Sequence, residues 1–164
     1  MDDVLILHVR LDDFYAVVEQ QLIPALRERP VAVGHDTLLS CSPEARQLGL
    51  RVGMQTPRAR RRCPQAIVIE GHHEVYPCMA DRAWAICRQY TTSLETYSSE
   101  AYGDAGGLGY VYGAPLTLAR RLHHDLTLHT RLPVSIGIGS NRLMAWIASR
   151  QGEGQVHWIR PHAE

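Results

Sequence analysis

Apolar residues along this chain follow two periods, and each change of period marks an element. Residues 4–9 form an apolar run of strand length. From 14 to 27 the period becomes helical, with Phe14, Val17, Val18, Leu22 and Leu26 on one side. Asp12 or Asp13 at the junction suits a helix start, where a carboxylate accepts free backbone N–H groups. Pro30 ends that helix, and 30–34 is a short buried strand entering a turn. A second short strand is expected at 38–42 and a brief helix at 43–48, closed by Gly49. Another short helix follows, with Thr56 as cap and Pro57 at its first position.

Residues 66–70 are strand-like, and 75–90 is a helix with Met79, Ala83, Ile86 and Tyr90 on one face. An extended stretch covers 94–101, and the glycines at 106, 107, 109 and 113 predict a hairpin or loop after it. The helix at 115–130 has Leu118, Leu122 and Leu126 in phase. Residues 133–139 alternate as a central strand does, 141–150 is a helix and 156–159 a last strand. Strands separated by long helices predict an α+β sheet with helices on one face. The segment 22–78, built of small elements, is inserted between 1–21 and 79–164.

Composition narrows this further. A chain of 164 residues with 45% hydrophobic content builds one substantial core or a domain with a subdomain, burying roughly 70% of its extended surface. Lys plus Arg equals Asp plus Glu at 17 each, so nucleic-acid affinity has to come from a local patch or a partner. Cys41, Cys63, Cys78 and Cys87 lack metal-ligand spacing and read as buried thiols. No signal peptide is evident, and no apolar run approaches the ~20 residues that span a membrane. A soluble cytoplasmic protein is expected, nucleoid-associated if it binds DNA.

Arg58, Arg60, Arg61 and Arg62 form the sharpest basic cluster and are the DNA-binding candidates. His72–His73 and His123–His124 are adjacent pairs, whose side chains diverge by about 100° on a helix, so neither makes a metal cage.

Several blocks, in this order, resemble a Y-family (translesion) DNA polymerase. They are His8-Val9-Arg10-Leu11-Asp12-Asp13-Phe14-Tyr15-Ala16-Val17-Val18-Glu19, then 27–34, Glu44-Ala45-Arg46 through Met54, Cys63-Pro64-Gln65-Ala66, 95–104 with Ser99-Glu100, and 134–149. The resemblance implies a polymerase-like palm, a mixed or antiparallel sheet with helices on one face, at 1–21 and 79–164. It makes 22–78 a small fingers-like subdomain and leaves no thumb or little-finger domain within the chain.

The family holds two divalent ions with two palm aspartates and a glutamate, a geometry that activates one oxygen while neutralising the phosphates. At those positions stand Arg10, Ser99 and Glu100. A set carrying −3 becomes one carrying +1, 0 and −1, and a guanidinium does not release its proton. No catalytic residue, metal or cofactor is therefore expected, and Arg10 is expected to pair with Glu100 in the place of an ion. By resemblance Tyr15 and Arg46 are the nucleotide-binding candidates, although Pro43 stands where the family has a phosphate-contacting tyrosine and the family's lysine is missing after Ala148.

The function implied is that of a catalytically inactive polymerase-like accessory or scaffold in DNA damage tolerance or repair, similar to the inactive subunits of bacterial mutagenesis systems. Its partners would be repair or replication proteins, an active polymerase or a second copy of the chain among them, with weak or indirect DNA contact. One alternative is a weak Mg2+-dependent nucleotidyltransferase, or a nucleotide-binding protein, with a site relocated to Asp12, Asp104 and Glu100. Another is a protein-association remnant that binds neither nucleotide nor DNA.

Overall fold

The computed structural model describes residues 4–160. By contacts the chain divides into a discontinuous unit, Met1–Asp12 with Cys78–Glu164, and an inserted unit, Asp13–Pro77.

The discontinuous unit is built on a five-stranded sheet. Its strands are β1 (Ile6–Leu11), β5 (Ser93–Thr96), β6 (Glu100–Asp104), β7 (Val134–Gly139) and β8 (Val156–Trp158), in the order β5-β6-β1-β7-β8. β1 runs antiparallel to β6 and to β7, whereas β7 and β8 are parallel, so the sheet is mixed. The first strand lies later than the apolar run 4–9 suggests. Backbone pairing carries it through Arg10 and Leu11, so a charged residue sits within the ladder, Arg10 opposite Glu100 on one side and Ser135 on the other.

Strand alternation sends Leu7, Val9 and Leu11 to one face, all buried, and His8 and Arg10 to the other. Three leucines of α6 (Pro115–Thr130), Leu118, Leu122 and Leu126, are buried, as are Val134, Ile136 and Ile138 of the adjoining β7. Each such side chain contributes about 2 kcal/mol relative to leaving it exposed.

On the polar side of β7, Gly137 and Gly139 let α7 (Arg142–Ala148) lie directly on the strand. A Cβ on Gly137 would stand 2.0 Å from the Ala145 carbonyl oxygen and 2.3 Å from the Ser149 nitrogen. Asn141 caps this helix by accepting the Met144 N–H at 2.9 Å.

The inserted unit has a smaller sheet in the order β3-β2-β4, with β2 at Val31–Gly34, β3 at Leu38–Cys41 and β4 at Ile67–Ile69. Helices α1 (Phe14–Leu22), α2 (Pro43–Gln47) and α3 (Thr56–Arg62) complete it. Ala32, Leu38, Cys41, Ala45, Leu50, Ala59 and Cys63 form its core. Helix α4 (Tyr76–Cys87) begins in this unit and continues into the other.

Several expectations change. The helix predicted over 14–27 ends at Leu22, because Pro24 has no N–H and clashes with the preceding turn; Pro24–Leu26 form a single 3-10 turn instead. Asp13 occupies the N-cap position of α1 with φ 52°, and its side chain makes no capping bond. Thr56 lies inside α3, and Gln55 holds the cap position. The glycine-rich stretch contains a short helix, α5 (Gly109–Tyr112), and 94–101 is broken into the hairpin strands β5 and β6. Cys78 is exposed, while the other three thiols are buried as expected.

Candidate functional site

The polar face of the five-stranded sheet carries Arg10 and Glu100. Arg10, His8 and Glu100 come together there because β1 and β6 are antiparallel, with Arg10 opposite Glu100 and His8 opposite Tyr102. Ser99 precedes Glu100, and its carbonyl accepts the Leu11 N–H at 2.8 Å.

Arg10 does not take Glu100 as its partner. Its Nε donates to Asp12 Oδ1 at 2.6 Å, two residues along the same chain. Asp12 is buried, and its other oxygen accepts the Ser135 hydroxyl and, at 3.2 Å, the Gly154 N–H. The expected Arg10–Glu100 pair is thus replaced, because Asp12 reaches the guanidinium first from its own backbone while a different cation serves Glu100. That cation is Arg150, whose Nη2 donates to Glu100 Oε1 at 2.7 Å.

On the other Glu100 oxygen, His8 Nε2 stands 3.4 Å from Oε2, too far for a short hydrogen bond. His8 is wholly buried. Its ring is fixed by Ser149, whose hydroxyl donates to the Trp146 carbonyl at 2.9 Å and accepts at His8 Nδ1 at 2.7 Å. Contact with His8 first, opposed by burial, and then the Arg150 guanidinium hold the Glu100 carboxyl down at about 2. Glu100 is an anion at any working pH, with counter-charge already beside it.

Asp104 lies at the far end of β6, where its Oδ1 accepts the Gly106 N–H at 2.8 Å. Strand rise separates it from Glu100 by about 13 Å along the strand, so Asp12, Asp104 and Glu100 do not converge. Among the described residues no three of His, Cys, Asp and Glu are grouped as a metal cage. No described helix is long and apolar enough to cross a membrane.

In the inserted unit, Arg46 Nη2 donates to Asp13 Oδ2 at 2.7 Å. Pro43 opens α2 behind the Ser42 cap, whose oxygen accepts the Ala45 N–H at 3.2 Å. Tyr15 packs at 4.6 Å, centroid to centroid, on Tyr76, beside Phe14 and His73. Arg58, Arg60, Arg61 and Arg62 are all exposed on α3, and among the described residues none of the four has a carboxylate partner. Arg60 also borders an open groove of about 630 Å³ with His35, Asp36, Gln55 and Thr56.

Two features escape the sequence reading. The signal that would have found His8 is a second polar residue two places before Arg10, on the same strand face. Glu19 gives no such sign. It is fully buried on α1 and accepts from the Tyr76 hydroxyl at 2.7 Å, the His72 N–H at 2.7 Å and His72 Nδ1 at 2.8 Å.

The family model of the impB/mucB/samB family matches residues 9–150, which takes in the smaller sheet and all of the larger one but β8 and the start of β1. The chain belongs to that family. Curated relatives of this impB/mucB/samB protein include DNA polymerase IV 2 of Mesorhizobium japonicum, 40% identical over 146 residues, covering 88% of this chain and 35% of that one. DNA polymerase IV of Streptococcus pyogenes is 33% identical over 153 residues, covering 88% of this chain and 42% of that one.

The fold matches the Dbh DNA polymerase in its insertion ternary complex at a TM-score of 0.85 and 25% identity, over 96% of this chain and 49% of that one. A DinB-family error-prone DNA polymerase from Sulfolobus solfataricus gives 0.82 and 26%, over 96% and 47%. The chain spans less than half the length of these relatives, and its α+β sheet architecture is that of their polymerase fold. The two divalent ions the resemblance implies do not fit the donor set of this impB/mucB/samB chain. Arg10 and Ser99 offer no anionic oxygen, and one oxygen of the Glu100 carboxylate is taken by Arg150.

Proposed function

We propose that this chain is a non-catalytic member of the Y-family polymerase group, acting as an accessory or scaffold in DNA damage tolerance. The observation that carries this reading is Arg10, a permanent cation inside β1 at the register position facing Glu100, with neutral Ser99 beside it. Two-metal nucleotidyl transfer needs anionic oxygens converging on both ions, and here Glu100 is paired with Arg150 and Asp12 with Arg10. Membership of the family and the likeness to polymerase folds support a role beside DNA synthesis.

In this reading the discontinuous unit is the palm and the inserted unit the fingers. The partners are repair or replication proteins, an active polymerase among them, in the cytoplasm and at the nucleoid. The exposed arginines of α3 support a weak DNA contact of its own. A calorimetric titration with Mg2+ and a deoxynucleoside triphosphate, run alongside primer extension, tests the reading. The expected result is no Mg2+-dependent heat and no extension above background; extension by the unaltered chain overturns it.

A further inference from the structure

We infer that Arg150 is a resident counter-ion for Glu100: it fills the place of a dication, so the carboxylate stays masked even when its missing neighbours are restored. This rests on the non-catalytic reading and adds a second, separate obstacle to metal binding.

Arg150 is ordered by three contacts besides its ion pair. Its guanidinium lies 3.8 Å from the centroid of the Trp146 ring, its Nη1 stands 3.4 Å from Ser149 Oγ, and its backbone N–H donates to the Ile147 carbonyl at 3.1 Å. A guanidinium stacked on an indole gives up little further freedom on taking a carboxylate. Its pair with Glu100 Oε1 therefore forms from a prepared position.

The Ser149 hydroxyl that touches Arg150 also fixes the His8 ring, whose Nε2 lies 3.4 Å from Glu100 Oε2, so one short segment after α7 borders the carboxylate on both sides. A small dication needs carboxylate oxygen at about 2.0–2.1 Å and would have to displace this group. Arg10 takes no part in it, being held by Asp12 just past the end of β1. Replacing Arg10 and Ser99 by carboxylates thus leaves the Arg150–Glu100 contact intact.

The test compares Mn2+ affinity, read as loss of the free-ion electron paramagnetic resonance signal, in R10D/S99D and in R10D/S99D/R150A. The triple variant is expected to bind at least tenfold more tightly than the double. R10D/S99D/R142A is the control for charge alone. Arg142 pairs with Glu95 and lies 5.1 Å from the Tyr102 ring centroid, so its removal changes the net charge equally without touching Glu100. No gain is expected from it. Equal affinity in the double and R150A variants, or an equal gain from R142A, overturns the inference.

Should near-ultraviolet circular dichroism show R10D/S99D unfolded, S99D against S99D/R150A makes the same comparison with the Arg10–Asp12 pair kept, and the same ordering is expected. Equal affinity there also overturns it. Primer extension by the unaltered chain is a different failure, that of the non-catalytic reading itself.

Discussion

Glu19 gathers three donors where no solvent reaches it, and the balance of forces on it sets a pH dependence. Burial opposes its ionisation, but the Tyr76 hydroxyl and the two His72 donors outweigh that and place its carboxyl below the ordinary value of 4.5. A lowered acid contributes stability in full above about pH 4.5, and loses it as pH falls through the folded value. The hydrogen bond to Glu19 raises His72 above 6.5, so its contribution is complete below about pH 6.5 and lost as pH rises through the folded value. Glu19→Gln is expected to cost about 2 kcal/mol near pH 5.5. Urea unfolding at pH 3.5, 5.5 and 8 should show the gap from the unaltered protein widest at pH 5.5 and narrower at both ends. Gly71 belongs to the same arrangement: at φ 92° a Cβ would lie 2.1 Å from the Tyr76 hydroxyl oxygen. None of this shows in the sequence, where Glu19 is one polar residue in a helical period and His72 half of an adjacent pair.

The element most dependent on its neighbours is α7. Its last turn lies over Gly137, and this approach brings Ser149 to His8 and Arg150 to Glu100. Gly137→Val would set side-chain atoms against the Ala145 carbonyl, and overpacking of this kind costs about 3 kcal/mol. The expected outcome is a lower thermal midpoint together with a change in tryptophan emission as Arg150 leaves the Trp146 ring. A midpoint equal to that of the unaltered protein would show that α7 is not seated on the strand. Helix α6 was fully legible, because its leucines repeat at helical spacing and Pro115 fixes its start. By contrast, the helix over 14–27 was read too long: apolar period continued through Leu26 while Pro24 had already ended it. The hairpin of β5 and β6 was blurred for a related reason, since Glu100 alternates in phase only once its partner β1 is known.

For the whole molecule, 17 basic and 17 acidic side chains leave no overall field to draw DNA, so binding has to be local. The four arginines of α3 are the exposed basic cluster identified for it. If all four meet phosphates, the logarithm of affinity for single-stranded DNA should fall with the logarithm of salt at a slope of about −3, at about −0.7 per contact. R60A/R61A/R62A should reduce that slope to about −1; an unchanged slope would place the contact elsewhere. The family, most strands and helices, and the presence of Arg10 and Ser99 rather than carboxylates at their two positions are legible in the linear chain, because periodicity, punctuation and residue identity are local properties. Which charge meets which is set by the folded arrangement alone. Arg10 turns to Asp12 two residues away, whereas Glu100 is met by Arg150 and His8, residues brought to it by strand register and by the seating of α7. Coulombic pairing acts through space at a few ångströms, a distance that the linear order of residues does not record.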